Sequence, residues 1–162
     1  IRSKYSNLGV VLQTYLYRTE KDVENVIENG HSLRICKGAY KEPRDIAFPK
    51  KSQVDQNFIQ LLEKLLGERA RKNGVYVGVA THDEKIIDWT KNFARENGVG
   101  KEEFEFQMLY GIGINLQKKL VKEGYQMRVY IPFGTHWYPY YTRRLAERPA
   151  NLLFFAKTFL RE

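Results

Sequence analysis

The chain has 162 residues, 43% hydrophobic and 28% charged, which fits one globular domain with a real core and excludes a disordered chain. The formal net charge is +8, but acidic residues interleave throughout and the longest basic runs are pairs such as Lys50–Lys51 and Arg71–Lys72, so the charge reads as a solvated surface rather than a nucleic-acid tail. A single cysteine, Cys36, excludes a disulfide scaffold, and no apolar run nears the ~18 residues of a membrane span, so a reduced, cytoplasmic setting is expected.

Strand-like and helix-like patterns then alternate along the chain. Gly9–Tyr17 reads as a strand, and Glu20–Asn29 as a short helix with Thr19 as N-cap and Gly30 as stop. Ser32–Tyr40 is a second strand, running into a loop that holds Pro43 and Pro49. Gln53–Asn73 is expected to be one long amphipathic helix, because Val54, Phe58, Leu61, Leu62 and Leu65 fall at helical spacing. Val75–Thr81 is the third strand, Asp83–Asn97 a helix ending at Gly98, and Phe104–Tyr110 the fourth strand. Ile114–Glu123 is a helix stopped by Gly124, and Gln126–Phe133 the fifth strand. Trp137–Glu147 and Leu152–Arg161 are read as helices.

Such alternation predicts right-handed βαβ units and a parallel sheet. Two architectures compete. A dinucleotide-binding doubly wound sheet calls for G-x-G-x-x-G after a strand, and the nearest match, Gly111-Ile-Gly113, has Leu116 where the third glycine belongs. A (βα)8 barrel takes ~31 residues per unit, so 162 residues hold about five units and cannot close eight strands.

In a barrel the chemistry sits at the C-terminal strand ends. Polar residues gather there: Gln13 and Tyr15 in the first strand, Arg34 and Lys37 in the second, and Thr81-His82-Asp83 after the third. Glu105 and Gln107 follow in the fourth, and Arg128 and Tyr130 in the fifth. One buried polar group per strand is costly without partners and points to a lined cavity. Each also has a structural reading. Gln13 can be a satisfied core amide, His82 a hydrogen-bonded loop residue, Lys37 half of an ion pair, and Cys36 an inert core thiol. Lys37 can equally be a Schiff-base lysine, as in barrel aldolases. In the segment Trp137–Glu147, Tyr140, Arg143, Arg144 and Glu147 recur at spacings that can share one helix face. Guanidiniums beside aromatic rings suit a small carboxylate with an apolar body, and the same pattern also fits a solvated basic face.

The stretches LQTYLYR (Leu12–Arg18), LRICKGAYKEP (Leu33–Pro43), VATHD (Val79–Asp83), FEFQMLYGI (Phe104–Ile112), RVYIPFG (Arg128–Gly134) and WYPYYTRRLAERPAN (Trp137–Asn151) occur in order and cover nearly the whole chain. Together they resemble the flavin-dependent proline dehydrogenases of the bacterial monofunctional kind. The resemblance implies an α/β fold, the last five βα units of a (βα)8 barrel, with FAD at its C-terminal mouth. It implies that Gln13 and Arg34 touch the isoalloxazine ring, that Thr81 and His82 contact the ribityl–pyrophosphate region, and that Gln107 is a further FAD contact. Lys37, Tyr40, Tyr130 and Tyr140 would line the proline site, with Ile35 as an apolar wall. Arg143 and Arg144 would bind the substrate carboxylate, and Glu147 would orient their helix or the arginines themselves. Arg34, Lys37 and Tyr130 are the expected catalytic groups.

The implied reaction takes hydride from C5 of L-proline to flavin N5, giving Δ1-pyrroline-5-carboxylate, and passes electrons to a quinone, with peripheral membrane contact as its setting. The family barrel has three further strands before LQTYLYR that bring an acidic residue and a lysine to the site. This chain is therefore expected to be inactive alone, and to meet the missing barrel half or associate with itself through open sheet edges. Two other readings stand beside this one: a Schiff-base aldolase built on Lys37, and a basic nucleic-acid-binding module.

Overall fold

The computed structural model describes residues 5, 8–38, 40, 42–131 and 133–135. The elements in chain order are β1 (Val10–Gln13), α1 (Thr19–Glu28), β2 (Leu33–Cys36), α2 (Lys51–Leu66), α3 (Glu68–Lys72), β3 (Val77–Ala80), α4 (Glu84–Glu96), β4 (Phe104–Leu109), α5 (Ile114–Lys122) and β5 (Met127–Tyr130). The expected helices Trp137–Glu147 and Leu152–Arg161 lie outside the described residues.

The five strands form one sheet in the order β1-β2-β3-β4-β5, and every pairing is parallel. Register settles which side chains share a face. Leu33 pairs with Val77 and Val77 with Phe104, while Ile35 pairs with Val79 and Val79 with Phe106. These residues sink into a single apolar cluster with Val23, Val26 and Ile27 of α1, Phe58, Leu61, Leu62, Leu65 and Leu66 of α2, Ala70 of α3, Ile86, Ile87 and Ala94 of α4, and Leu120 of α5. All five helices therefore cover the same face. A doubly wound sheet reverses its strand order partway and places helices on both faces. The observed order, with one-sided helices, is an arc of a barrel wall.

Burying the larger of these side chains contributes roughly 1.5–3 kcal/mol each. The fully buried Phe58, Phe104 and Phe106 dominate, and Phe106 meets Phe104 and Tyr125 edge-on, each at 5.5 Å between ring centroids. No described helix is long and apolar enough to cross a membrane.

Several boundaries differ from expectation. The strands are shorter than expected, at both ends in β1, β2, β3 and β5 and at the C-terminal end only in β4. The expected helix over 53–73 is two helices: Gly67 adopts an extended conformation, ending α2 and starting α3. Thr19 is the first residue of α1 rather than its N-cap; Arg18 holds the cap position, and the Thr19 hydroxyl donates to the Gln13 carbonyl at 2.6 Å. The stops at Gly30, Gly98 and Gly124 are as expected, and all three, like Gly74 after α3, lie in the left-handed region.

Candidate active site

The residues of opposite parity face away from the helices. Val11 and Gln13 of β1 are joined there by Arg34 and Cys36 of β2, Gly78 and Ala80 of β3, Glu105 and Gln107 of β4, and Arg128 and Tyr130 of β5. Six of these ten residues, counting the Tyr130 hydroxyl, carry polar side chains, which an apolar helix layer would not accept. Strand alternation places them together.

Arg34 is half-buried, and its guanidinium carbon lies 5.4 Å from the centroid of the Tyr130 ring, a cation–π contact reaching from β2 to β5. Within this span β3 contributes only the small Gly78 and Ala80, and the Gln107 amide occupies the space over Gly78. Arg34 has no carboxylate partner among the described residues. Cys36, expected as an inert core thiol, is instead half-buried on this concave face, beside Gln13 in the register.

Ile35 is corrected. Expected as an apolar wall of the site, it is 0% exposed in the helix-facing core with Val79 and Phe106. Its neighbour Arg34 takes the concave face, and period-two alternation forbids both from doing so. Tyr15 departs too: after β1 the chain keeps pairing to the rim, with Tyr15 N–H donating to the Lys37 carbonyl at 3.0 Å. The ring packs away from the strand row, on Ala47 and Val54. It lies so close to Gly38 that a Cβ there would sit 2.1 Å from a ring carbon, and Gly38 has φ +99°. Burial, then Glu42, pushes the Tyr15 pKa up.

Lys37 stands at the rim, with its ammonium 2.6 Å from Asp55 and 2.6 Å from Asp83. Lys51 bonds Asp55 as well and lies 3.6 Å from Asp83. Burial alone would raise the pKa of both aspartates, but the hydrogen bond and charge of Lys37 outweigh it and hold them below the usual carboxylate range. The ion-pair reading of Lys37 is the one its geometry supports. Both carboxylate contacts place the Lys37 nitrogen in an ion-pair network at the rim. Asp55 was missed from sequence, where nothing but its place near the start of α2 marks it.

Asp83 also caps α4, accepting from the Lys85 N–H, while its own N–H donates to the Thr81 hydroxyl at 3.1 Å. Thr81 is buried and His82 is exposed. The His82 Nε2 accepts the Leu109 N–H at 3.1 Å, so the neutral ring carries its proton on Nδ1 and offers that N–H as a donor. Desolvation by the surrounding chain, then the Arg34 charge, lowers the His82 pKa.

A pH prediction arises here. Depressed folded pKa values mean stability that is present above the unfolded value and is lost as pH falls. Stability should decline in two stages, first below ~6.5 as His82 takes a proton and then below ~4 as Asp55, Asp83 and Glu105 do. Thermal midpoints across pH 3–8 test this, and His82→Gln should erase the first stage alone. An unchanged profile in that variant would show that His82 does not contribute.

On β4, Glu105 is 5% exposed, yet it accepts both nitrogens of the Arg128 fork at 2.5 and 2.9 Å. Gln107 Nε2 donates to Glu105 at 2.6 Å. Burial would raise the Glu105 pKa, but Arg128 and then Gln107 outweigh it and hold the carboxyl low. Tyr40 is exposed beyond the end of β2. Tyr140, Arg143, Arg144 and Glu147 lie outside the described residues.

Comparison with known proteins matches residues 2–157 to the family model described as proline dehydrogenase. The chain is 52% identical over 153 residues to proline dehydrogenase 2 of Bacillus subtilis, covering 94% of this chain and 49% of that protein. It is 48% identical over 155 residues to proline dehydrogenase of Deinococcus radiodurans, covering 96% and 48%. The chain thus spans about half the length of the curated relatives it matches. Among solved structures, a bifunctional proline utilization A protein superimposes with a TM-score of 0.77 at 27% identity, over 94% of this chain and 17% of that one. Proline utilization A from Bdellovibrio bacteriovorus gives 0.70 at 30% identity, over 78% and 14%. The sheet is accordingly part of a TIM barrel.

Proposed function

The chain belongs to the proline dehydrogenase family, and on that premise we propose that it supplies the last five βα units of a barrel that oxidises L-proline with FAD. The observation that carries this reading is the concave face of the family-matched sheet. There a guanidinium without a carboxylate among the described residues and two amides lie about a strand of small residues, with His82 just past its end.

Those groups fit a flavin cofactor. Arg34 offers positive charge, and His82 a donor suited to a phosphate or sugar oxygen. Gln13 and Gln107 offer amides, the Gln107 amide seated over Gly78, and Ala80 keeps the neighbouring position on β3 small. When bound, FAD supplies the hydride acceptor, and proline leaves as Δ1-pyrroline-5-carboxylate. The chain's own residues bind and orient. Arg34 sets the potential of the concave face and packs against the Tyr130 ring, which forms an apolar edge for the substrate. Lys37, fixed by Asp55 and Asp83, holds the rim between β2 and β3 and keeps a cation beside the substrate entrance. Tyr40 and Tyr140 are assigned to the substrate side, and Arg143 and Arg144 to its carboxylate, with Glu147 orienting them. A quinone takes the electrons, at a peripheral membrane contact. The aldolase reading has less support, because Asp55 and Asp83 engage the Lys37 nitrogen. The nucleic-acid reading is weakened where cations such as Lys64 and Arg69 are already paired with carboxylates.

Proline-dependent dye reduction and a visible flavin spectrum, measured on the protein with its barrel complete, test this directly. A colourless protein without proline activity would overturn it. Arg34→Ala should lower the potential of the bound cofactor, because a cation on this face favours the more negatively charged redox state. The drop should be on the order of 30 mV, equal to about 1.4 kcal/mol in a two-electron couple. An unchanged spectroelectrochemical potential would leave Arg34 with a packing role only.

A further expected result concerns the sheet edges. Val11 is 59% exposed on β1, and Ile131, just past β5, is also 59% exposed. Both edges carry unpaired backbone groups and half-covered apolar side chains. The 162-residue chain by itself should therefore associate through these edges or bind a fragment carrying the remaining strands. Light scattering with a flavin spectrum checks this; a monodisperse, yellow, proline-oxidising 19.1 kDa monomer would refute it.

A further inference from the structure

We propose that Glu105 is a positioning residue that fixes the orientation of the Gln107 amide, so that the site presents a carbonyl acceptor and selects a ligand bearing an N–H donor. The inference rests on the flavin reading above and goes beyond it by naming which edge chemistry the face accepts.

An amide side chain is ambiguous: rotated by half a turn, it exchanges donor for acceptor. Glu105 removes the ambiguity. It accepts the Arg128 guanidinium through both oxygens, at 2.5 and 2.9 Å, a fork that requires the carboxylate form. A carboxylate only accepts, so the group of Gln107 that meets it at 2.6 Å must be the NH2. The Gln107 carbonyl oxygen is then left without a partner among the described residues. Gly78 makes the arrangement possible. It pairs with Arg34 on one side and Glu105 on the other, and the Gln107 amide lies over it. A Cβ at residue 78 would stand 2.3 Å from Gln107 Nε2 and 2.8 Å from its carbonyl carbon. The amide is thus seated on the concave row itself, one strand from Arg34, where a planar cofactor would lie. Arg128, Glu105 and Gln107 form a relay that converts a fixed charge into a fixed polarity.

Oxidised flavin has a single ring N–H, at N3, so methylation there removes the matching donor. Apoprotein with a complete barrel is titrated with FAD and with N3-methyl FAD, following the visible spectrum. The wild type should bind the methylated cofactor about tenfold or more weakly, the size of one buried hydrogen bond lost. In Glu105→Gln the amide is free to turn, and the preference should shrink to about threefold or less, with FAD itself bound several-fold more weakly. The methyl group's bulk is the same in both proteins, so a preference that persists undiminished in Glu105→Gln would overturn the proposal, as would a wild type that binds both cofactors equally. Should Glu105→Gln fail to fold, Gln107→Leu replaces it, with the same loss of preference expected. If the wild type binds neither cofactor, the flavin reading itself fails, an outcome distinct from binding without discrimination.

Discussion

Phe106→Ala is expected to lower the unfolding free energy by about 3–5 kcal/mol. Phe106 is 0% exposed, lies edge-on to Phe104 and Tyr125, and sits in the cluster that joins the sheet to all five helices. Truncation removes the transfer term and leaves a cavity that β4, paired on both sides, cannot collapse to fill. Domains of this size are stable by roughly 5–15 kcal/mol, so the loss takes about a fifth of the margin or more. Urea midpoints measure it. Val11→Ala, at an exposed edge position, is the comparison and should move stability by no more than ~0.5 kcal/mol. Equal losses in the two variants would mean that the cluster is not the source of stability.

Arg143→Met and Arg144→Met should each raise the KM for proline by roughly 30- to 1000-fold, the ~2–4 kcal/mol of a charge-assisted pair lost from a closed site. The assignment comes from the resemblance, since both residues lie outside the described ones. The described cations support it by their own commitments. Lys37 is held by Asp55 and Asp83, Arg128 by Glu105, and Arg34 lies against the Tyr130 ring. Flavin content should remain near that of the wild type. Reduction rates titrated with proline decide the matter, and an unchanged KM in both variants would move the carboxylate grip elsewhere.

The order of elements was legible in the sequence because periodicity and glycine stops are local signals. The choice between barrel arc and doubly wound sheet was less so, since it rests on strand order. Gly67 breaks α2 from α3 although Gln53–Asn73 keeps its apolar spacing, because one glycine weakens a helix only slightly and the packing decides. At the site, the polar residues of the strands could be recognised one by one, but their pairing could not. Asp55 and Lys37 are brought together by a loop whose path no pattern encodes. Ile35 was misplaced because a motif names residues without saying which face each one takes. Glu105 and Arg128 were visible only as polar lining; their mutual fork depends on the register between β4 and β5.

The strand order also bears on how the molecule is assembled in time. Every strand pairs only with its successor, across sequence separations of about 20 to 45 residues, and no described strand pairs with one more remote. The widest gap, between β2 and β3, is about twice the narrowest, and a doubling of loop length adds only ~0.6 kcal/mol of closure entropy. Among the five described strands no unit waits on a distant partner within the arc, so each can settle on the one made before it during synthesis. The arc therefore has no topological bottleneck, and any slow phase in refolding belongs to a later event than the building of this sheet.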